Sequence, residues 1–194
     1  THKVFYMDAV PPSGNFTKGV ILLLHGQSFT SSTWCEHDNI SILAASGYRC
    51  IAPDLPGSGK TEGDSIPIEE RPNFILALRE FLRLKEMVIM CASMAAPYVL
   101  PLLGSPWIQC VIGIAPSDTH SLGESLRAKT PVLVVYGEKD TSLGPTSASN
   151  LSILPNSRCI RLPLAGHAVH LGNPLLFQSI TINFIELIRS YSTN

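Results

Sequence analysis

Residues 87–96, Met-Val-Ile-Met-Cys-Ala-Ser-Met-Ala-Ala, decide the fold. Residues 87–90 are an apolar run typical of a strand buried on both faces, and Cys91 and Ala92 come next. Ser93 follows, with small residues at positions −2, −1, +2 and +3. A tight turn between a strand and a helix needs small side chains there, because larger ones would collide. The stretch therefore predicts a strand, a turn that presents the Ser93 hydroxyl, and a helix that begins at Met94.

The rest of the chain alternates between strand-like and helix-like segments in the same way. Apolar strand-like runs occupy residues 20–24, 48–53, 108–115, 132–136 and 159–162. Helical patterns occupy residues 34–45, 68–84, 94–103, 147–154 and 175–188. Such alternation predicts an α/β fold with a mostly parallel, twisted sheet and helices on both of its faces.

Composition places the chain among ordinary globular proteins. Its 194 residues are 45% hydrophobic and 15% charged, with a net charge of −1. We expect one α/β domain over residues 1–194, without an internal repeat or a linker. No basic stripe of the kind that binds nucleic acid is present. No apolar run reaches the roughly 18 residues that a membrane span requires.

The five cysteines have no spacing typical of a zinc or redox motif. Cys50, Cys110 and Cys159 lie within apolar strand-like runs, where a thiol packs as a small hydrophobic group. We therefore expect reduced cysteines in the core of a protein from a reducing compartment.

Chemically useful residues follow the ends of four predicted strands. Ser93, Asp140 and His167 each come after a different strand, and the carboxyl ends of parallel strands meet at one edge of a sheet. The chain order Ser, Asp, His is that of the α/β-hydrolase triad. We expect Ser93 to be the nucleophile, His167 the base, and Asp140 the group that orients the histidine.

Two backbone N–H groups complete the predicted site. Gly26 lets the chain turn sharply after residues 20–24, which directs the N–H of Gln27 toward the Ser93 turn. The N–H of Met94, at the start of the following helix, is the second expected donor to an oxyanion. This chemistry needs neither a metal nor an organic cofactor.

Several alternatives remain open at this point. Asp118 competes with Asp140 as the acid, and His170 competes with His167 as the base. Cys91, two residues before Ser93, is an alternative nucleophile. Residues 57–61, Gly-Ser-Gly-Lys-Thr, look like the end of a phosphate-binding loop, but the complete motif requires glycine where this chain has Asp54.

The motifs together resemble those of the α/β-hydrolase superfamily. They are Leu-Leu-Leu-His-Gly at 22–26, Asp-Leu-Pro-Gly-Ser-Gly at 54–59, the Ser93 turn, Tyr-Gly-Glu-Lys-Asp at 136–140 and Ala-Gly-His at 165–167. Longer stretches, such as residues 129–140 and 154–158, resemble the abhydrolase domain-containing protein 14 group within that superfamily. Members of that group read Ser-Pro-Ser-Leu-Ser-Gly where this chain has Cys-Ala-Ser-Met-Ala-Ala at 91–96.

The resemblance implies a small hydrolase without a lid, with serine esterase or acyl-transfer activity. The short gap between the strands at 108–115 and 132–136 independently leaves no room for a substantial cap domain. We therefore expect a small acyl-bearing substrate with a short acyl group. The alternative is a catalytically weak or inactive hydrolase fold that serves as a protein-binding module, with a protein partner. The resemblance also implies a cytoplasmic or nuclear location, and it leaves open an anchor upstream of Thr1.

Overall fold

All β-strands in the described part of the chain belong to one sheet. The computed structural model describes residues 3–12, 14, 16–120 and 122–192. The seven strands are β1 (Tyr6–Ala9), β2 (Gly19–Leu24), β3 (Tyr48–Pro53), β4 (Met87–Ala92), β5 (Ile108–Ile114), β6 (Val132–Gly137) and β7 (Ser157–Leu162). Their order in the sheet is β1-β3-β2-β4-β5-β6-β7.

Six of the strands run parallel, and only β1 is antiparallel to its neighbour β3. The central strand β4 pairs on one side with β2 and on the other with β5. Its residues are buried along its whole length, which explains why the sequence carries no polar side chain there. This topology confirms the predicted α/β fold with a mostly parallel sheet.

The helices cover both faces of the sheet, as predicted. They are α1 (Asn39–Ala45), α2 (Arg71–Phe81), α3 (Leu143–Leu151), α4 (Val169–Gly172) and α5 (Pro174–Ser192). Leu22 and Leu24 of β2 join a buried cluster with residues of α2 and α3. Ile21 and Leu23, which point to the opposite face, join a second cluster with residues of α1 and α5.

Two predicted helices differ from the observed structure. The segment after Ser93, predicted as one helix over 94–103, forms two 3₁₀ segments, Ser93–Tyr98 and Leu100–Leu102. Pro97 and Pro101 explain the difference, since proline lacks the N–H that an α-helix requires and its ring clashes with the preceding turn. The predicted helix over 34–45 likewise begins as the 3₁₀ segment Ser31–Asp38, and α1 follows after a kink at Glu36 and His37.

The prediction that Cys159 is buried is wrong. Cys50 and Cys110 are fully buried, but Cys159 is exposed on β7. β7 lies at the edge of the sheet, and most of its side chains are at least partly accessible to solvent. The five cysteines are all free thiols.

Little structure lies above the sheet where larger hydrolases carry a cap. Between β5 and β6 the described residues form only one 3₁₀ segment, Gly123–Arg127. This confirms the prediction that a substantial cap domain is absent from that gap. Among the described residues, no helix combines the length and the apolar character needed to cross a bilayer.

Candidate active site

Ser93 stands at a sharp turn directly after β4. Its φ is +47°, in the left-handed region that residues with a Cβ adopt at a cost of about 1–3 kcal/mol. The Ser93 carbonyl oxygen accepts a hydrogen bond of 3.0 Å from the N–H of Ser117, beyond the end of β5. The next carbonyl, that of Met94, accepts a hydrogen bond of 3.2 Å from Nη1 of Arg71. One backbone N–H and one arginine side chain, from two other parts of the fold, therefore hold the strained turn in place.

The loop after β2 packs directly against this turn. A Cβ placed on Gly26 would lie 3.7 Å from the Cβ of Ser93. His25 fixes the loop, because its Nδ1 contacts the Gly26 carbonyl oxygen at 2.9 Å and its Nε2 accepts the Leu55 N–H at 2.9 Å. The His-Gly pair is visible in the sequence, but this positioning role of His25 is not, because it depends on the distant residue Leu55.

Asp140 and His167 form a short hydrogen bond. His167 Nδ1 lies 2.6 Å from Asp140 Oδ2. The Asp140 side chain is only 5% exposed, whereas that of His167 is 46% exposed. Burial by itself raises the pKa of Asp140, but hydrogen bonds from His167 and from the N–H groups of Gly144 and Ser142 outweigh it and lower the pKa below its ordinary value. The carboxylate is therefore ionised and can hold the imidazole in one orientation.

The loops that carry the acid and the histidine are joined through their backbones. The N–H of Lys139 donates to the carbonyl oxygen of Ala165 at 2.9 Å, and that of Glu138 donates to the carbonyl oxygen of Leu162 at 2.8 Å. A Cβ on Gly137 would lie 2.1 Å from the carbonyl oxygen of Gly166. Only glycine at position 137 permits this approach of the two loops.

Ser93 and His167 line the same cavity, whose volume is about 270 Å³. The other lining residues are Gly26, Gln27, Ser28, Phe29, Ala92, Ile114, Ala168 and His170. No hydrogen bond joins the Ser93 hydroxyl to the imidazole of His167 in the described ranges. Catalytic hydrogen bonds are often long in a protein without substrate and shorten in the substrate complex.

The two backbone N–H groups expected to bind an oxyanion lie on either side of the Ser93 turn. Gln27 lines the cavity on the β2 loop, and Met94 directly follows Ser93. Within the residues that the structure describes, neither N–H donates a hydrogen bond to another group. The segment that begins at Ser93 is a short 3₁₀ segment and not the α-helix predicted to begin at Met94, so no α-helix dipole adds to the Met94 N–H.

The alternative acid and the alternative nucleophile lie in unsuitable environments. Asp118 accepts a hydrogen bond from the hydroxyl of Ser117 at 2.7 Å and is exposed. Cys91 is fully buried in β4, and this burial raises the pKa of its thiol to about 12. A thiol with that pKa carries almost no thiolate at neutral pH, and the thiolate is the nucleophilic form.

The backbone of the glycine-rich loop at 57–61 binds a carboxylate of the chain itself, where a phosphate-binding loop would bind a phosphate. The carboxylate of Asp54 accepts the N–H of Lys60 at 2.8 Å and the N–H of Ser31 at 2.7 Å. A Cβ on Gly59 would lie 2.1 Å from Asp54 Oδ2. An internal carboxylate therefore occupies the position against this loop that a phosphate would need.

Comparison with known proteins identifies similar sequences and folds. Residues 21–122 match the model of the "Alpha/beta hydrolase family". The rat protein named "Putative protein-lysine deacylase ABHD14B" is 34% identical over 94% of this chain and 90% of its own length. The zebrafish "Protein ABHD14A" is 36% identical over 86% of this chain and 64% of its own length.

Solved structures share the fold. A structure from Thermoplasma acidophilum, described as a "predicted CIB-like hydrolase", superposes with a TM-score of 0.85 at 29% identity, covering 95% of this chain and 92% of that chain. The bromoperoxidase from Bacillus anthracis superposes with a TM-score of 0.81, covering 95% of this chain and 96% of that chain. Its identity of 14% limits the second likeness to the fold.

Proposed function

The chain belongs to the alpha/beta hydrolase family, and on that premise we propose that it is a serine hydrolase that removes or transfers short acyl groups. The observation that carries the proposal is the 2.6 Å contact between Asp140 and His167 at a cavity that Ser93 also lines. The left-handed φ of Ser93 supports the same role, because such strain is typical of a nucleophile presented at a strand-to-helix turn.

The reaction proceeds in two steps through an acyl-enzyme. In the first, His167 takes the hydroxyl proton of Ser93 while Oγ forms a bond to the acyl carbon. The bond from this carbon to the leaving group then breaks, and the leaving group takes the proton from His167. In the second, water gives a proton to His167, and the resulting oxygen attacks the acyl carbon. The carboxylic acid leaves, and Ser93 regains its proton; an alcohol or amine in place of water gives acyl transfer.

Charge develops in both steps on the acyl oxygen and on the imidazole. The free N–H groups of Gln27 and Met94 stabilise the oxyanion, and this type of stabilisation is commonly worth about 3–4 kcal/mol per donor. The ionised carboxylate of Asp140 stabilises the imidazolium of His167. All of these groups belong to the chain itself, so the proposed chemistry requires no cofactor.

The cavity favours a short acyl group on a leaving group of unrestricted size. Its volume of about 270 Å³ is enough for a short acyl chain, and no substantial cap covers the exposed His167. The name of the rat relative specifies deacylation of protein lysines. For this chain we accordingly include an acylated side chain of a protein partner among the proposed substrates, beside small acyl esters.

Turnover of a short p-nitrophenyl ester tests the proposal through Ser93→Ala. We expect kcat/KM to fall by about 10³-fold or more, because the nucleophile of the acyl-enzyme is lost. Ser58→Ala is the matched control, since Ser58 is also half-buried but lies on the loop beside Asp54. Circular dichroism shows whether the Ser93→Ala protein is folded. Retained activity in the folded variant would refute the proposal.

The proposed location is the cytoplasm or the nucleus, and it rests on the resemblance alone. Fluorescence of the tagged full-length protein in cells tests it. Signal confined to an organelle other than the nucleus, or to the secretory pathway, would contradict it.

A further inference from the structure

His170 occupies the buried part of the cavity that Ser93 and His167 line. His170 is only 3% exposed, and neither of its ring nitrogens makes a hydrogen bond within the described residues. Nδ1 in particular is fully enclosed by protein and has no partner. Unpaired polar groups in a protein interior are uncommon and destabilising, and each one calls for an explanation.

Aromatic residues from three separate elements fix the plane of this imidazole. Trp34 stacks on it with the ring centroids 4.9 Å apart. Phe177 and Phe29 contact it at centroid distances of 6.0 and 6.5 Å, and Phe29 meets it edge-on. The amide of Asn39 donates to the His170 carbonyl oxygen at 3.1 Å. The ring is therefore held rigidly, and it cannot turn to the surface to find water.

The imidazole is neutral at physiological pH. Burial, and to a lesser extent the nearby His167, lower the pKa of His170 to about 4. A neutral imidazole carries one N–H donor and one acceptor lone pair. Since Nδ1 is the enclosed nitrogen, Nε2 is the one through which the ring can meet a molecule in the cavity.

From this geometry we infer that His170 determines specificity by hydrogen bonding to a hydroxyl group on the acyl chain. The inference rests on the proposed function and deepens it, because it narrows the substrates to short hydroxyacyl groups. A hydroxyl can both donate and accept, so it satisfies Nε2 in either tautomer. An alkyl chain of the same shape leaves that nitrogen unpaired, and sites built in this way discriminate strongly against such analogues.

The acyl side of the substrate, and not the leaving group, is the part that reaches His170. The acyl carbon is bonded to Ser93 in the acyl-enzyme, so the acyl chain must occupy the cavity in both steps. The leaving group departs past His167, which donates its proton and whose side chain is 46% exposed. His170, at 3% exposure, lies on the enclosed side.

Two pairs of isosteric p-nitrophenyl esters test the inference in the wild-type enzyme. They are lactoyl against isobutyryl and 3-hydroxybutyryl against 3-methylbutanoyl, and within each pair a hydroxyl replaces a methyl group. We expect kcat/KM, normalised to the rate of alkaline hydrolysis, to favour the hydroxyl in at least one pair by about tenfold or more. Equal values in both pairs would overturn the inference without any variant being made.

His170→Phe keeps the aromatic packing and removes both nitrogens. We expect the ratio of kcat/KM between the hydroxyacyl and the alkyl ester of each pair to fall to about one in this variant. His120→Phe, at an exposed histidine outside the cavity, is the matched control and should keep the preference. An unchanged preference in folded His170→Phe would also overturn the inference.

A binding measurement separates failure of this inference from failure of the proposed function. If the wild type hydrolyses none of the four esters, the proposed function fails, and the free acids then serve as probes. We expect lactate or 3-hydroxybutyrate to shift the His170 imidazole resonances in NMR spectra, and isobutyrate and 3-methylbutanoate to leave them in place. Equal shifts from the hydroxy and alkyl acids, or none from any acid, would contradict a hydroxyl-binding role.

Discussion

His167, on the loop after β7, and His170, in α4, lie three positions apart and line one cavity, yet they differ in almost every physical property. His167 is about half exposed and contacts the carboxylate of Asp140 at 2.6 Å. His170 is buried among aromatic rings, makes no side-chain hydrogen bond to any described residue, and has its pKa lowered to about 4. In the proposed reaction the first takes and releases a proton, whereas the second stays neutral.

The difference arises from elements that are remote in sequence. Asp140, which follows β6, distinguishes His167, while Trp34 and Phe177 enclose His170. The neighbours of a histidine therefore decide which role it is suited to. We propose the role of base for His167 and that of a neutral hydrogen-bonding group in the cavity for His170. Substitutions at the acid, at the contact between the two loops and at the buried ring test this difference between the two histidines.

Removing the charge from Asp140 should have the largest effect. Asp140→Asn keeps the shape of the acid but favours the wrong tautomer of His167, and we expect kcat to fall by about 10³–10⁴-fold. Asp118→Asn, the matched control at the exposed acid after β5, should leave kcat unchanged. Steady-state kinetics with a p-nitrophenyl ester measures kcat of both variants. A larger loss in Asp118→Asn would show that Asp118, and not Asp140, is the acid.

Gly137→Ala should separate the loops of Asp140 and His167. The new Cβ would lie 2.1 Å from the carbonyl oxygen of Gly166, so the two backbones must move apart. We expect the free energy of unfolding to fall by about 3 kcal/mol and activity to fall with it.

Gly166→Ala provides the control for this clash. No atom lies within 4 Å of a Cβ at that position, so its stability in urea denaturation should stay within about 0.5 kcal/mol of the wild type. If the two alanine variants were equally stable, the close approach at Gly137 would not be what joins the loops.

The smallest expected effect concerns pH and the burial of His170. Its pKa is lowered from 6.5 in the unfolded chain to about 4 in the folded protein. Between these two pH values the histidine binds a proton in the unfolded chain but not in the folded protein. The contribution of neutral His170 to the free energy of unfolding is therefore fully present above pH 6.5 and is lost as the pH falls toward 4.

His170→Phe removes this dependence, and comparison with the wild type isolates it from other titrating groups. We expect the wild type to lose about 2 kcal/mol of unfolding free energy relative to His170→Phe between pH 7 and pH 5. Urea denaturation at the two pH values measures the difference. Parallel behaviour of the two proteins would show that the imidazole is solvated and not buried.

The sequence predicted the sheet well because its strands are buried on both faces. A run such as Met87–Ala92 can be apolar throughout only where helices cover both sides of it. The topology then follows from the alternation of strands and helices. The placement of Asp140 and His167 next to each other was predictable for the same reason, since parallel strands end at one edge of the sheet.

Features that depend on local chemistry or distant packing were harder to predict. Pro97 and Pro101 were visible, but the apolar pattern around them outweighed their effect in the prediction of a helix. The exposure of Cys159 depends on β7 lying at the sheet edge, which strand patterns do not indicate. The distinction between His167 and His170 required Trp34 and Phe177, and nothing in the sequence placed these rings around His170.

Covalent labelling tests the central claim, that Ser93 is a nucleophile activated by His167, most directly. The folded protein is treated with a fluorophosphonate, and the modified residue is located by mass spectrometry of its peptides. We predict one phosphonyl group per chain, attached to Ser93, and a much slower reaction in His167→Ala. A protein that keeps the hydrolase fold only as a binding module would leave Ser93 unmodified, and that result would contradict the account.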